Sequence, residues 1–318
     1  MENQDRKNPW LGLQSYTEYD RIYGRDADIR ALTQAVLNNK ELLFYGKSGI
    51  GKSSILMAGL VGMCRQHGYV PISMRLEHSG IKYIDQIKQA LEAESIRVVR
   101  KEAVCGNDET LWEFFHCNEF RKTNRDITTN EEAIGERVNL LFIFDQFEEI
   151  FTLSRNKVQI RDFFAELADY LNDIEPEKIS KNKANVEVNT DVQSGDDMFG
   201  DIFSSVASEE SKDYVFDNNI HMIFTIREDF LSEFEYYAKA TPSLKQHRYQ
   251  LRPLNEEQAA EIITKPRPGM VSKEVAKLII EKVAGRTDFI LDGIPEIEVD
   301  SAVLSLYLDC TKPRKRRR

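Results

Sequence analysis

The chain has little cysteine, no long apolar run and a shortage of basic charge. Cys64, Cys105, Cys117 and Cys310 are scattered over 318 residues without a C-x-x-C pair, which suits a reducing compartment and provides no zinc cage. His116 beside Cys117 in LWEFFHCNEF is the one suggestive metal pair, and its apolar neighbours fit a partly buried helix better. No stretch approaches the roughly eighteen apolar residues that span a membrane, and MENQDRKNPW has no apolar leader core. A cytoplasmic protein with no membrane partner is the expectation. Forty-three Lys and Arg against 53 Asp and Glu leave a formal charge of −10. This argues against a surface coated for nucleic acid, although a local patch survives such a total. The concentrated basic run is the tail TKPRKRRR, where Lys312, Arg314, Lys315, Arg316, Arg317 and Arg318 either meet phosphate backbones or acidic lipids, or fray as a charged terminus. No internal repeat is visible.

Residues 41–53 read ELLFYGKSGIGKS: an apolar strand-like run, a glycine-bounded loop, then a helical pattern opening at Lys52 and Ser53. This is G-x-x-x-x-G-K-S in the context that gives it chemical meaning. Turning backbone N–H groups inward around a phosphate needs residues at Gly46 and Gly51 that tolerate unusual φ and leave no Cβ in the way. Lys47, Ser48, Gly49 and Ile50 complete the loop, and Ser54 follows it. Lys52 places a point charge against β/γ oxygens, Ser53 offers a hydroxyl to Mg2+, and the following helix, about 52–65, aims its positive end at the anion. ATP with Mg2+ is the expected ligand.

Residues 138–151, VNLLFIFDQFEEIF, form an apolar run ending in an acid, as a strand buried on both faces of a parallel sheet should. Asp145 then emerges at the carboxyl end, where ligands bind in open α/β sheets, and would share the metal with Ser53. Gln146 follows it, so the usual Asp-Glu pair that orients an attacking water is absent. Glu148 and Glu149 either turn one carboxylate toward the γ-phosphate or lie on the solvated side of a helix start. HMIFTIREDF, 221–230, is a further buried strand whose Arg227 either senses the γ-phosphate or pairs with Glu228 or Asp229.

Strand signals at 41–45, 69–76, 138–144 and 220–226 alternate with helical stretches near 25–39, 52–66, 80–94 and 157–172. The expected fold class is α/β: a P-loop NTPase with a parallel β-sheet flanked by helices, plus a small C-terminal helical lid subdomain. Ile81, Ile84, Ile87 and Leu91 repeat at helical spacing and read as core. Residues 173–218 are polar and turn-rich and read as a mobile insertion; within them Met198, Phe199, Ile202, Phe203 and Val206 form an amphipathic patch that docks on a partner, over the nucleotide or on its own domain. The lid begins with Asn255 as N-cap and Pro266 as stop. Helices near 272–284, ended by Gly285, and near 299–309 complete it. The expected organisation is an arm (1–22), a core (23–252), the lid (253–310) and the basic tail (311–318).

The opening NPWLGLQSYTEYDRIYGRDADI, the loop GKSGIGKSS followed by ILMAGL, the strand ending in FDQFEE, the IREDF segment and RYQLRPLNEEQAAEII together resemble the novel STAND NTPases. These are signal-transduction ATPases with numerous domains, related to AAA+ ATPases, and the resemblance spans about residues 8–310. It implies a switch with an ADP-bound rest state and an ATP-bound oligomeric active state, serving signalling or antiphage defence. Gly46, Gly51, Lys52 and Ser53 then fall on the phosphate loop, Asp145 on the metal-binding acid and Arg227 on the sensor. Tyr23, Gly24 and Arg25 fall where the family's hydrophobic-GRE motif approaches the base, with Asp26 in place of Glu. On the residues alone, Gly24 permits a turn, Asp26 or Asp28 suits a first helical turn, and Ile29, Leu32, Val36 and Leu37 form an apolar stripe. Members of the family commonly continue into helical, repeat or effector regions. The resemblance therefore implies either a short protein that delegates sensing or effector action to partners, or a truncated copy.

The expected partners are ATP or ADP, further copies of the chain on activation, and a separate sensor or effector protein. A P-loop phosphotransferase would need an acceptor pocket with its own charged readers. A DNA-associated ATPase would need more basic surface than the chain carries outside its tail.

Overall fold

A computed structural model of the chain describes residues 10, 12, 14, 16–100, 109–125, 132–153, 157–175, 218–291 and 294–310. In order the elements are α1 (Asp26–Asn38), β1 (Glu41–Gly46), α2 (Lys52–Ile55), a π-helical stretch (Leu56–Leu60), α3 (Val61–Gln66), β2 (Tyr69–Met74), α4 (Tyr83–Ala93), β3 (Ile96–Arg100), α5 (Leu111–His116), β4 (Asn118–Arg125), β5 (Glu132–Arg137), β6 (Asn139–Phe144), α6 (Glu149–Leu153), α7 (Lys157–Leu171), β7 (Ile220–Arg227), α8 (Leu231–Tyr237), α9 (Ser243–Gln246), β8 (Arg248–Gln250), α10 (Glu256–Thr264), α11 (Lys273–Val283), β9 (Gly285–Leu291), β10 (Ile294–Glu298) and α12 (Ser301–Cys310).

Five strands form a parallel sheet flanked by helices, in the order β2-β6-β7-β1-β8. β1 and β8 run parallel, with Leu43 opposite Arg248. The apolar runs at β6 and β7 are buried nearly end to end, as strands covered on both faces must be. The expected α/β class is therefore the observed one, and each of the four expected strands lies within two residues of its place.

The chain divides into two compact units. The first comprises Met1–Pro71, Ile223–Ser232 and His247–Arg318. Here α1 buries Ile29, Leu32 and Val36 at helical spacing, and a Cβ at Gly59 would meet Ile29 Cδ1 at 2.6 Å. The helix after the loop relaxes into π geometry over the five residues containing that contact. The C-terminal part has its own core of Leu254, Ala259, Ile263, Ala276, Ile280, Leu304 and Leu308, which Trp10 joins; the Trp10 indole N–H donates to the Ile262 carbonyl at 3.0 Å. Asn255 caps α10 as its sequence announces, but its capping-box partner is Gln258, and Ser272 caps α11. One departure is β9 and β10, which pair antiparallel between α11 and α12. Gly285 thus opens a strand as well as following a helix, so this part is not wholly helical.

The second unit comprises Ile72–Met222 and Glu233–Gln246. Ile84, Ile87 and Leu91 of α4 are buried, whereas Ile81 precedes the helix and is 39% exposed, so it is not core. In LWEFFHCNEF only the first part is helical. Thr110 and Glu113 close a capping box on α5, and the helix stops because buried Asn118 turns its amide to the Phe114 carbonyl (2.8 Å) and Glu109 (3.0 Å). From there β4 pairs antiparallel with β3 and β5, a three-stranded sheet that local pattern did not announce. Phe147 sits at the centre of an aromatic cluster with Phe144, Phe151, Phe163, Phe164 and Phe234.

Most of the 173–218 insertion, including its apolar patch, lies outside the described residues, as do Cys105 and the basic tail. Cys64 and Cys117 are buried and Cys310 exposed; burial pushes the Cys64 thiol up to about 12, which keeps it unreactive. Among the described residues no cluster could hold a metal through His, Cys, Asp or Glu alone, and no helix is long and apolar enough to cross a membrane.

Phe147 is 1% exposed, so Phe147→Ala should cost about 3–5 kcal/mol by lost burial and a cavity among rings. Urea unfolding followed by fluorescence measures this, and a loss under about 1 kcal/mol would show that the cluster closes over the gap.

Candidate nucleotide site

The loop after β1 has the backbone a phosphate cradle needs. Gly49 and Gly51 adopt φ of 75° and 97°, the left-handed region that only glycine enters freely. Gly46 is required for a different reason. Its φ is ordinary, but a Cβ there would lie 2.8 Å from the Leu251 carbonyl oxygen. Ile50, 3% exposed, pins the loop to the core, while Lys47 and Ser48 are exposed. The Lys52 ammonium donates to the carbonyls of Gly46 and Lys47, each at 3.0 Å, so it is held across the mouth of the loop. Ser53 and Ser54 follow in the first turn, and the Ser54 hydroxyl accepts a 3.5 Å bond from the Tyr16 N–H.

Behind the loop lies a buried charge. Arg25, 3% exposed, donates to Asp28 at 3.0 Å, to the Arg252 carbonyl at 2.9 Å and to the Ile50 carbonyl at 3.4 Å. Asp28 also accepts from the Tyr249 hydroxyl at 2.9 Å and from Gln258 at 3.4 Å. Burial lowers the Arg25 pKa and the Asp28 charge counteracts it; burial first and Asp28 second raise that of Tyr249. A Cβ on Gly24 (φ 69°) would lie 2.4 Å from the Gln258 carbonyl oxygen. The Tyr23 ring lies under the Arg21 guanidinium, 5.1 Å from its centroid. Within the first unit the structure thus brings Gly24 and Arg25 to the back of the loop, where Arg25 braces the backbone.

At the carboxyl end of β7, next to β1 in the sheet order, Thr225 is 1% exposed and its hydroxyl has no hydrogen-bond partner among the described residues; Arg227 Nε is buried in the same condition. The other end of the Arg227 guanidinium donates to Asp229. Of the two sequence alternatives for Arg227, the pairing with Asp229 is the one present, and the Nε edge is buried without a hydrogen-bond partner among the described residues. Orphaned buried polar atoms are costly, and an anion or its water shell would relieve them. Thr225 escaped sequence reasoning; its signal was one hydroxyl in the apolar run IHMIFTI.

The start of α12 was missed as well. Asp300 caps this helix, accepting from the N–H groups of Ala302 (2.8 Å) and Val303 (3.1 Å). The Ser301 hydroxyl donates to the Gly49 carbonyl at 3.3 Å, and a Cβ on Gly49 would approach Ala302 Cβ at 3.2 Å. The helix start therefore rests on the tip of the loop.

The acidic residues belong to the second unit. Asp145 follows β6, its N–H donating to the Met74 carbonyl at 2.9 Å, and its carboxylate accepts from Arg75 at 3.3 Å while 13% exposed. Gln146 takes a left-handed φ of 54°, a conformation uncommon outside glycine. Glu148 is 8% exposed, whereas Glu149 opens α6 and is half-buried. Of the two carboxylates, only Glu149 matches the solvated helix-start alternative.

Within the first unit the open glycine cradle, the Lys52 charge and the orphaned atoms of Thr225 and Arg227 are the chemistry that a nucleoside phosphate would meet; Ser53 in that unit and Asp145 in the second each carry an oxygen donor of the kind Mg2+ takes. Sheet and loop together define a P-loop NTPase. The chain belongs to the novel STAND NTPase 1 family, whose profile matches residues 9–289. No curated protein matches it. Among solved structures it is similar to a chain in "Structure of Drosophila ORC bound to DNA", at 8% identity and a TM-score of 0.38, over 96% of this chain and 60% of that one.

Replacing Lys52 by Ala removes the charge at the loop mouth. Nucleotide retention should fall at least about 100-fold, some 2.7 kcal/mol, with circular dichroism unchanged. Equal ATP binding by both proteins in calorimetry would remove the loop from consideration as the site.

Proposed function

We propose that the chain is an ATP-dependent switch of the STAND type, a slow ATPase that couples its nucleotide state to self-assembly in signalling or antiphage defence. The observation that carries this reading is the seat of α12 on the loop. A phosphate cradle whose tip bonds to another element transmits any change of loop shape to that element. Lys52 would bind the β/γ oxygens, the loop N–H groups would cradle them, Ser53 and Asp145 would hold Mg2+, and Arg227 with Thr225 would read the γ-phosphate. Tyr23, Gly24 and Arg25 border the base. The bound metal supplies charge neutralisation of the phosphates. Gln146 in place of an acid leaves Glu148 or Glu149 to orient water, which favours slow turnover and a long-lived ATP state. In such a switch the triphosphate acts by binding one arrangement of α12 better than the other.

Light scattering on a sizing column, in ADP, in ATP with Mg2+ and in a non-hydrolysable analogue, with phosphate release in parallel, tests the switch. Larger particles with the triphosphates alone are expected. A protein that binds nucleotide but keeps one mass in all three would remove self-assembly from the reading. Ser301→Ala should speed release of a fluorescent ADP about five-fold, the value of roughly one hydrogen bond. An unchanged release rate would mean that α12 does not report on the loop.

A further inference from the structure

The antiparallel sheet of the second unit carries an alignment that stability alone does not explain. Arg97 on β3 is paired with Arg121 on β4, and Arg121 with Arg137 on β5. Directly opposed residues share a sheet face, so three guanidinium-bearing residues stand abreast, one per strand, at steps of about 5 Å. Like charges in that relation destabilise a sheet. The opposite face bears Ile96, Asn118 and Phe120, all buried, so the row lies on the outer face. Arg97 is exposed and makes no ion pair among the described residues. Arg121 is held in place by a two-pronged bond to Glu119 (2.8 and 3.1 Å) and a 3.2 Å bond to the Gly135 carbonyl. Arg137 donates to the Asn218 side chain at 3.0 Å. Glu119 is the one acid among the described side chains of this face, in a chain whose formal charge is −10.

We infer that this face binds the phosphate backbone of a nucleic-acid duplex without reading its sequence. Arginine presents planar forks that match phosphate oxygens, and positions held by neighbours lose little freedom on binding. Beside the arginines the described side chains of this face are Val99, Glu119 and Thr123. Among these described side chains there is no aromatic ring on which single-stranded bases would stack, and no large apolar anchor of the kind that centres a protein interface or wedges into a bilayer. A duplex asks only for positive charges at short intervals on an open surface. This site is distinct from the basic tail and does not depend on the nucleotide loop.

Fluorescence anisotropy with a labelled mixed-sequence DNA duplex of about 30 base pairs, titrated at several salt concentrations, tests the assignment. Arg97→Glu with Arg137→Glu should weaken binding at low salt by at least about ten-fold and make the log–log salt slope shallower by about 1.8, two phosphate contacts at 0.9 each. ATP retention and circular dichroism should not change, and a second duplex of different sequence should bind equally. Arg97 makes no hydrogen bond or ion pair among the described residues, so Arg97→Glu alone carries the test if the Asn218 contact makes the double variant unstable. A variant with Arg314, Arg316, Arg317 and Arg318 replaced by Gln should keep the Arg97-dependent part of the affinity. Binding indifferent to Arg97→Glu, binding lost entirely with the tail arginines, or tighter Arg97-dependent binding to phosphatidylserine vesicles than to duplex would each overturn the inference.

Discussion

The first unit is organised around one guanidinium that water hardly reaches. Removing Arg25 from solvent is expensive unless every edge of its fork is satisfied, and the partners that satisfy it come from separated parts of the chain: Asp28 in α1, the Ile50 carbonyl in the phosphate loop and the Arg252 carbonyl beyond β8. Each partner is thereby confined. The carboxylate of Asp28 is shared with Tyr249 and Gln258, so the first turn of α1, the edge strand and the first turn of α10 converge on the same two charges. The loop's shape depends on this arrangement as much as on its glycines, because Gly49 and Gly51 supply freedom and the Ile50 carbonyl bond withdraws it.

Much of the main sheet could be read from the chain because its signals are local. Strands buried on both faces leave continuous apolar runs, and β1, β6 and β7 lie within two residues of where those runs place them. The phosphate loop is similarly self-announcing, since its function needs glycine at fixed intervals. The three-stranded sheet could not be read in this way. IRVVR and NEFRKTNR are short and charged, and the contacts that make them strands lie some twenty residues away in sequence. Hairpin β9–β10 was hidden for a similar reason, behind a glycine that also serves as an ordinary helix stop.

At the candidate site the same division holds. Lys52, Ser53 and Asp145 could be named from motifs. Ser301 could not, because its bond reaches the loop across 252 positions, and no periodicity encodes a side chain meeting a distant carbonyl. Thr225 stood in plain view, but its meaning depends on burial without a partner, which only the fold reveals. Arg25 shows the reverse case: the motif named it for the base, whereas packing gives its side chain structural work at the back of the loop, on Asp28 and the Arg252 and Ile50 carbonyls.

Gly24 has a mechanical consequence. Its Cα faces the backbone of α10 so closely that even one added carbon would lie 2.4 Å from the Gln258 oxygen. Two backbones in such contact can neither slide nor roll past one another without collision. α10 and the front of α1 are therefore locked together at this point, and the first segment beyond them whose backbone has room to bend begins past Thr264. There the run Lys265–Gly269 contains two prolines and ends in a glycine with φ of 83° that has open space around it.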